Sequence, residues 1–151
     1  MTSYPATPAY NEGTAAYAGF WIRFGAALID GILVGIVTNI LLFLIRMATG
    51  ASTDTMNPTT VVSLIVAIGI GAAYYIMMES SERQATIGKM ALGLKVTDMN
   101  GARISAGTAT VRYFSEILSG IILMIGYIMA AFTPKKQALH DIIAKTLVVK
   151  T

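Results

Sequence analysis

Five ionisable side chains stand in or beside sequence that is otherwise strongly apolar. Arg23 and Asp30 lie in "WIRFGAALIDG", at the entry to a long apolar run, and Arg112 and Glu116 lie in "ATVRYFSEILSG", at the entry to another. Asp141 follows His140 in "QALHDIIAK". Carboxylates and guanidiniums in such surroundings do one of two things. They exchange protons or cations within a membrane, or they pair and pin one helix against another. An Asp at the centre of a membrane helix costs about 2.5–3.5 kcal/mol on insertion scales, and less toward an interface. A partner is therefore expected, and Arg112 or Arg23 is the partner expected for Asp30.

Several other chemistries are excluded. There is no cysteine, so disulfide scaffolds, iron–sulfur clusters and thiolate metal sites are absent. His140 is the single histidine, which rules out sites built on two imidazoles, and adjacent side chains on a helix point apart rather than converge. No serine sits in a recognisable nucleophile elbow with a base. Gly88-Lys89 is not a phosphate loop, because Arg83 stands where the motif needs glycine and Met90 where it needs Ser or Thr. Hence no catalytic residue, cofactor or metal site is assigned, and the chain is not expected to be an enzyme. Asp141 is expected to cap a helix or to pair with Lys135, Lys136 or Lys145.

The elements that must hold these residues follow from hydropathy. Of the 151 residues 55% are apolar and 13% charged, whereas soluble domains run near 45–50% and about 25%. Residues 24–45 and 61–78 are apolar runs of spanning length, and 109–132 is a third that carries Arg112 and Glu116. Residues 1–18, with two prolines and small polar residues, read as a disordered tail, and 19–150 as the membrane domain. The formal charge of +3 is too small and scattered for nucleic acid. In the polar loop 79–107, "LKVTDMNGARIS" alternates around Asn100-Gly101 and predicts a β-hairpin over 94–105. "QATIGKMALG" predicts a short surface helix before it, and "TLVVK" a further strand in the tail 133–151. The fold class is thus an all-α membrane protein: three transmembrane or partly re-entrant helices and a small cytoplasmic β-hairpin element.

On a helical wheel Arg23, Ala27, Asp30, Gly31, Gly35 and Thr38 share one half of the first helix. Arg112, Ser115, Glu116 and Ser119 share one face of the third segment. Gly31-xxx-Gly35 and Gly69-xxx-Ala73 have the small-xxx-small spacing that lets membrane helices approach closely, which marks them as packing positions. Arg23, Arg83, Lys89, Lys95, Arg103 and Arg112 fall on one side of the bilayer, against Arg46 on the other. The positive-inside rule then puts the N-terminus in the cytoplasm. For 109–132 two arguments oppose each other: the polar seam keeps helical phase through Gly120, as a single span would, while the basic tail favours a re-entrant turn that leaves it cytoplasmic.

"GFWIRFGAALIDGILVGIV", "ATIGKMALGLKVTDMNG", "VRYF" and "KKQALHDIIAKTLVVK" resemble, in order, the RDD family of small bacterial membrane proteins, over about residues 18–150. The family is named for one arginine and two aspartates, and Arg23, Asp30 and Asp141 are the matching positions. The resemblance implies a multi-pass protein of the cell membrane, with transport proposed for the family in general and cation/proton antiport for at least one member. Two functions are therefore expected to compete. One is exchange of Na+ or H+ through a cluster of Arg23, Asp30, Arg112 and Glu116, which so few helices support only as a homo-oligomer. The other is a non-transporting scaffold or accessory subunit that docks a partner or anionic lipid.

Overall fold

A computed structural model describes residues 16–50, 58–121 and 125–151. Among these described residues six helices and two strands follow one another: α1 (Phe20–Thr49), α2 (Pro58–Glu79), α3 (Ile87–Ala91), β1 (Leu94–Asp98), α4 (Ala106–Ile121), α5 (Ile125–Phe132), α6 (Leu139–Ala144) and β2 (Thr146–Lys150). α1 and the residues 60–79 of α2 are long and apolar enough to cross a bilayer, with mean hydropathies of 2.5 and 2.2. Their apolar side chains face outward. Ile32, Ile36, Ile40, Phe43 and Leu44 of α1, and Val61, Val62, Leu64 and Ile65 of α2, are all exposed. A soluble monomer rarely leaves so much contiguous apolar surface uncovered.

The packed core lies instead at one end, where Ala18, Ala26, Leu94, Val96, Ile104, Ala109 and Val148 close on one another. There β1 and β2 form an antiparallel pair running from Leu94 opposite Lys150 to Asp98 opposite Thr146. The N-terminal residues join them: Tyr17 bridges Val149, and the Ala18 N–H donates to the Val148 carbonyl at 2.9 Å. Residues 16–18, the polar loop and the tail thus meet at one end of the molecule. Residues 1–15 of the expected disordered tail lie outside the described residues, whereas 16–18 are built into the sheet edge.

One sequence expectation changes here. The 94–105 segment is not a hairpin. Asp98 Oδ1 accepts the N–H groups of Asn100 and Ala102, each at 2.8 Å, and Gly101 takes the left-handed conformation with φ 82°. The chain therefore turns where expected. The returning arm does not pair as a strand, because Ile104 drops into the core and Ser105 accepts the Thr108 N–H to start α4. The place beside β1 goes to β2, some fifty residues later in the chain. Of the apolar segment 109–132, for which a single span and a re-entrant turn both stood open, α4 and α5 are described. α4 leaves the sheet end at Ala106, and by Gln137, whose amide donates to the Thr146 carbonyl at 2.9 Å, the chain is back against β2.

Candidate functional site

The buried stripe of α1 is Arg23, Ala26, Asp30 and, two turns further on, Thr38, all on one face. It carries two polar centres, one around Asp141 and one around Asp30.

Asp141 is the third residue of α6, so its carboxylate folds back to accept the N–H of Ala138 at 2.9 Å and caps that short helix. The same Oδ2 accepts Arg23 Nη1, and Oδ1 accepts Arg112 Nη1. Arg112 Nη1 also donates to the Thr146 hydroxyl at 3.0 Å, and Arg23 Nε to the Ala18 carbonyl at 2.8 Å. On the far side of Arg112, its Nε stands 3.0 Å from Glu79 Oε2. That contact is one of charge rather than an aligned hydrogen bond, since Nε has no hydrogen-bond partner among the described residues. Glu79 in turn takes the ammonium of Lys89 at 2.5 Å. The result is a buried chain of alternating charge, Arg23–Asp141–Arg112–Glu79–Lys89, that ties α1, α6, α4, α2 and α3 together. Asp141 and Arg112 are 0% and 2% exposed, so removing either partner leaves the other charged and unsolvated.

Burial alone would raise the Asp141 pKa, but the guanidiniums of Arg112 and Arg23 outweigh it and hold the carboxyl well below the usual carboxylate range. His140 is lowered, first by burial and then by the nearby Arg112 guanidinium. Both directions follow from charge and desolvation acting at close quarters.

Asp30 is differently held. Its Oδ1 accepts the Tyr74 hydroxyl at 2.7 Å and the Gly88 N–H at 2.7 Å, and its Oδ2 accepts the Thr86 hydroxyl at 2.5 Å. Tyr74 also accepts the Ile87 N–H at 2.9 Å, and Thr86 is the N-cap of α3. All three donors are neutral, and Asp30 makes no ion pair among the described residues. Gly88 permits this arrangement by having no side chain: a Cβ there would lie 2.2 Å from the Ala26 carbonyl oxygen. α3 therefore rests directly on the backbone of α1.

The expected pairing of Asp30 with Arg112 or Arg23 is thus corrected. Both arginines turn to Asp141, because α6 returns a second carboxylate to the same end, and α3 supplies Asp30 with donors that need no charge. Asp141 caps a helix as expected, but its ion-pair partners are these arginines rather than Lys135, Lys136 or Lys145. Glu116, half-buried, borders the cluster. It lines, with Arg23, Asp30, Lys89, Arg112 and His140, a cavity of about 20 Å³, room for a single water molecule.

The small-residue spacings are corrected too. A Cβ on Gly31, Gly35 or Gly69 would meet nothing within 4 Å, and Ala73 is exposed. The face of α1 that packs is the adjacent stripe through Ala26 and Asp30. The sequence reading left Glu79, Lys89, Tyr74, Thr86 and Gly88 out of the cluster. Glu79 carries a signal, as a carboxylate ending an apolar run; the others have no local signal and join the cluster because α3 folds back on α1.

The arrangement brings one arginine and two aspartates, Arg23 and Asp30 of α1 and the distant Asp141, to one end of two long apolar helices. The model of the RDD family matches residues 17–145, which span all three. The chain belongs to the RDD family. Two relatives, both from Bacillus subtilis (strain 168), are the uncharacterized protein YxaI, 44% identical over 87% of this chain and 96% of its own length, and the uncharacterized membrane protein YteJ, 37% identical over 90% of this chain and 82% of its own. No solved structure matches the chain. With the two apolar helices, this RDD family protein is a membrane protein.

Proposed function

We propose that this RDD protein is a membrane-embedded scaffold or accessory subunit whose ion-paired end docks a partner or anionic lipid on the cytoplasmic side of the cell membrane. α1 and α2 span the bilayer, while α4 and α5 enter it and return. The sheet end then holds Arg83, Lys95, Arg103, Lys135, Lys136, Lys145 and Lys150, against Arg46 at the other, which is the asymmetry of a cytoplasmic face. One observation carries the reading. The buried charges from Arg23 to Lys89 pair in a chain that fastens residues 16–18, loop and tail into a platform, and along α1 buried charge stops at Asp30, with Thr38 the one buried polar residue beyond it. A polar path through the bilayer needs groups along the whole helix.

A second reading, exchange of Na+ or H+ in a homo-oligomer, is favoured by one specific feature. Asp30 is wholly buried among neutral donors and borders the water-sized cavity together with Glu116 and His140. Flux of Na+ and H+ into liposomes containing the purified protein separates the two. The scaffold reading expects wild type and Asp30→Asn to be indistinguishable from empty liposomes. Flux by the wild type that vanishes in a folded Asp30→Asn variant overturns it in favour of exchange.

A further inference from the structure

A second recess, of about 360 Å³, opens where α1 leaves the sheet, away from the ion-paired cluster. Tyr17, Phe20, Trp21, Lys136 and Lys150 line it. Both lysines are exposed and neither makes an ion pair among the described residues. Lys136 also reaches toward the start of α1: its Nζ lies 3.6 Å from where a Cβ on Gly19, the N-cap, would stand. The first turn of α1 contains no acidic residue and its N-cap makes no side-chain hydrogen bond. Two ammonium groups and the positive end of a long helix thus face one recess, with no acidic side chain among its described lining residues.

The surroundings say which anion fits. Trp21 is 78% exposed and Phe132 is 83% exposed, amphipathic and aromatic groups of the kind that collect at a membrane interface. Below Trp21, Phe24, Leu28 and Ile32 form an exposed apolar stripe at four-residue spacing down α1. Charge at the recess and grease beneath it match a molecule with an anionic head and a long apolar tail.

We propose that this recess binds an anionic phospholipid of the cytoplasmic leaflet, with Lys136 and Lys150 on its phosphate and an acyl chain along Phe24, Leu28 and Ile32. The assignment rests on the reading above that α1 enters the bilayer near Phe20, and deepens it by naming the lipid's seat. The seat orients α1 in the membrane and gives the basic tail a reason to lie against it.

Trp21 is the single tryptophan of the chain, so its fluorescence reports on this recess alone. The wild-type protein is reconstituted in vesicles containing either brominated phosphatidylglycerol or brominated phosphatidylcholine at equal mole fraction. Brominated phosphatidylglycerol is expected to quench Trp21 more strongly. Lys136→Gln and Lys150→Gln together should erase that preference, each lysine contributing about fivefold to relative affinity. Arg46→Gln, an exposed charge at the far end of α1, should leave it intact. Equal quenching by the two lipids in the wild type, or an equal loss in Arg46→Gln, overturns the site while leaving the spanning reading standing. Relief of quenching by inorganic phosphate at constant ionic strength overturns it in favour of a free anion. Absence of quenching by either lipid overturns the placement of α1 itself, and the site with it.

Discussion

Asp30 and Asp141 are both fully buried carboxylates at the same end of this RDD protein, yet their neighbours differ in kind. Asp141 sits between two guanidiniums, which only donate and cannot lose their charge. Asp30 sits among two hydroxyls and one peptide N–H, and a hydroxyl can rotate and accept instead. The first site demands a negative charge; the second demands an acceptor. The difference also separates what each does for the fold. Asp141 draws α1 and α4 to the tail, whereas Asp30 seats the short helix α3 against α1.

The largest effect expected from breaking this contrast is at Asp141. Asp141→Asn turns an amide N–H₂ toward a guanidinium and leaves Arg23 and Arg112 buried without their shared counter-charge. Loss of a partner from a buried pair costs about 3–5 kcal/mol, so thermal unfolding in detergent should show a protein that barely folds. Next is Gly88→Ala. Its methyl group would stand 2.2 Å from the Ala26 carbonyl and 2.9 Å from the Asp30 carboxylate, and displacing α3 should cost about 1–3 kcal/mol. Asp30→Asn should be milder. Its Oδ1 keeps the Tyr74 and Gly88 donors, and its new N–H₂ can give to the Thr86 hydroxyl once that rotor turns. A loss of less than about 1 kcal/mol is expected, near the value of one neutral hydrogen bond. If Asp30→Asn proves as damaging as Asp141→Asn under the same measurement, the distinction between the two sites is wrong.

The smallest expected effect is a pH dependence beside Asp141. His140 has its pKa lowered in the folded chain, so the unfolded chain binds more protons as the pH drops past the ordinary histidine value of about 6.5. Stability is then fully present above about pH 6.5 and is lost as the pH falls toward the folded pKa. Asp141, also lowered, adds its own loss only below the ordinary carboxylate range near 3.9. Thermal midpoints should therefore decline between about pH 7 and pH 5 in the wild type and stay level in His140→Gln. A wild type as flat as the variant would remove His140 from the account.

How much was legible beforehand differs between the same two sites. That Arg23, Asp30 and Arg112 lie on inward faces followed from helical periodicity, since polar groups in an apolar run must find partners. Which partner each finds did not follow. Asp30 and Arg112 match in side and sign, but nothing local places Asp141 of the tail at the same end, where it competes for both arginines. The hairpin failed for a related reason. Asn100-Gly101 does turn the chain, but a turn signal reports only on its own residues, and the partner of β1 was chosen from across the sequence.

By itself the sequence determined what depends on composition and local period. Two helices of spanning length, the turn at Asn100-Gly101, the short helix α3, a strand at "TLVVK" and the inward stripe of α1 all rest on interactions within a few residues. Tertiary structure alone decided that the tail returns to the N-terminus, that Asp141 takes both arginines, and that Gly88 rather than Gly31 or Gly35 is the point of close backbone approach. The physical reason is that a buried charge is satisfied by whichever opposite charge or donor the fold delivers to it. Its own neighbours in the chain fix only that it must be satisfied.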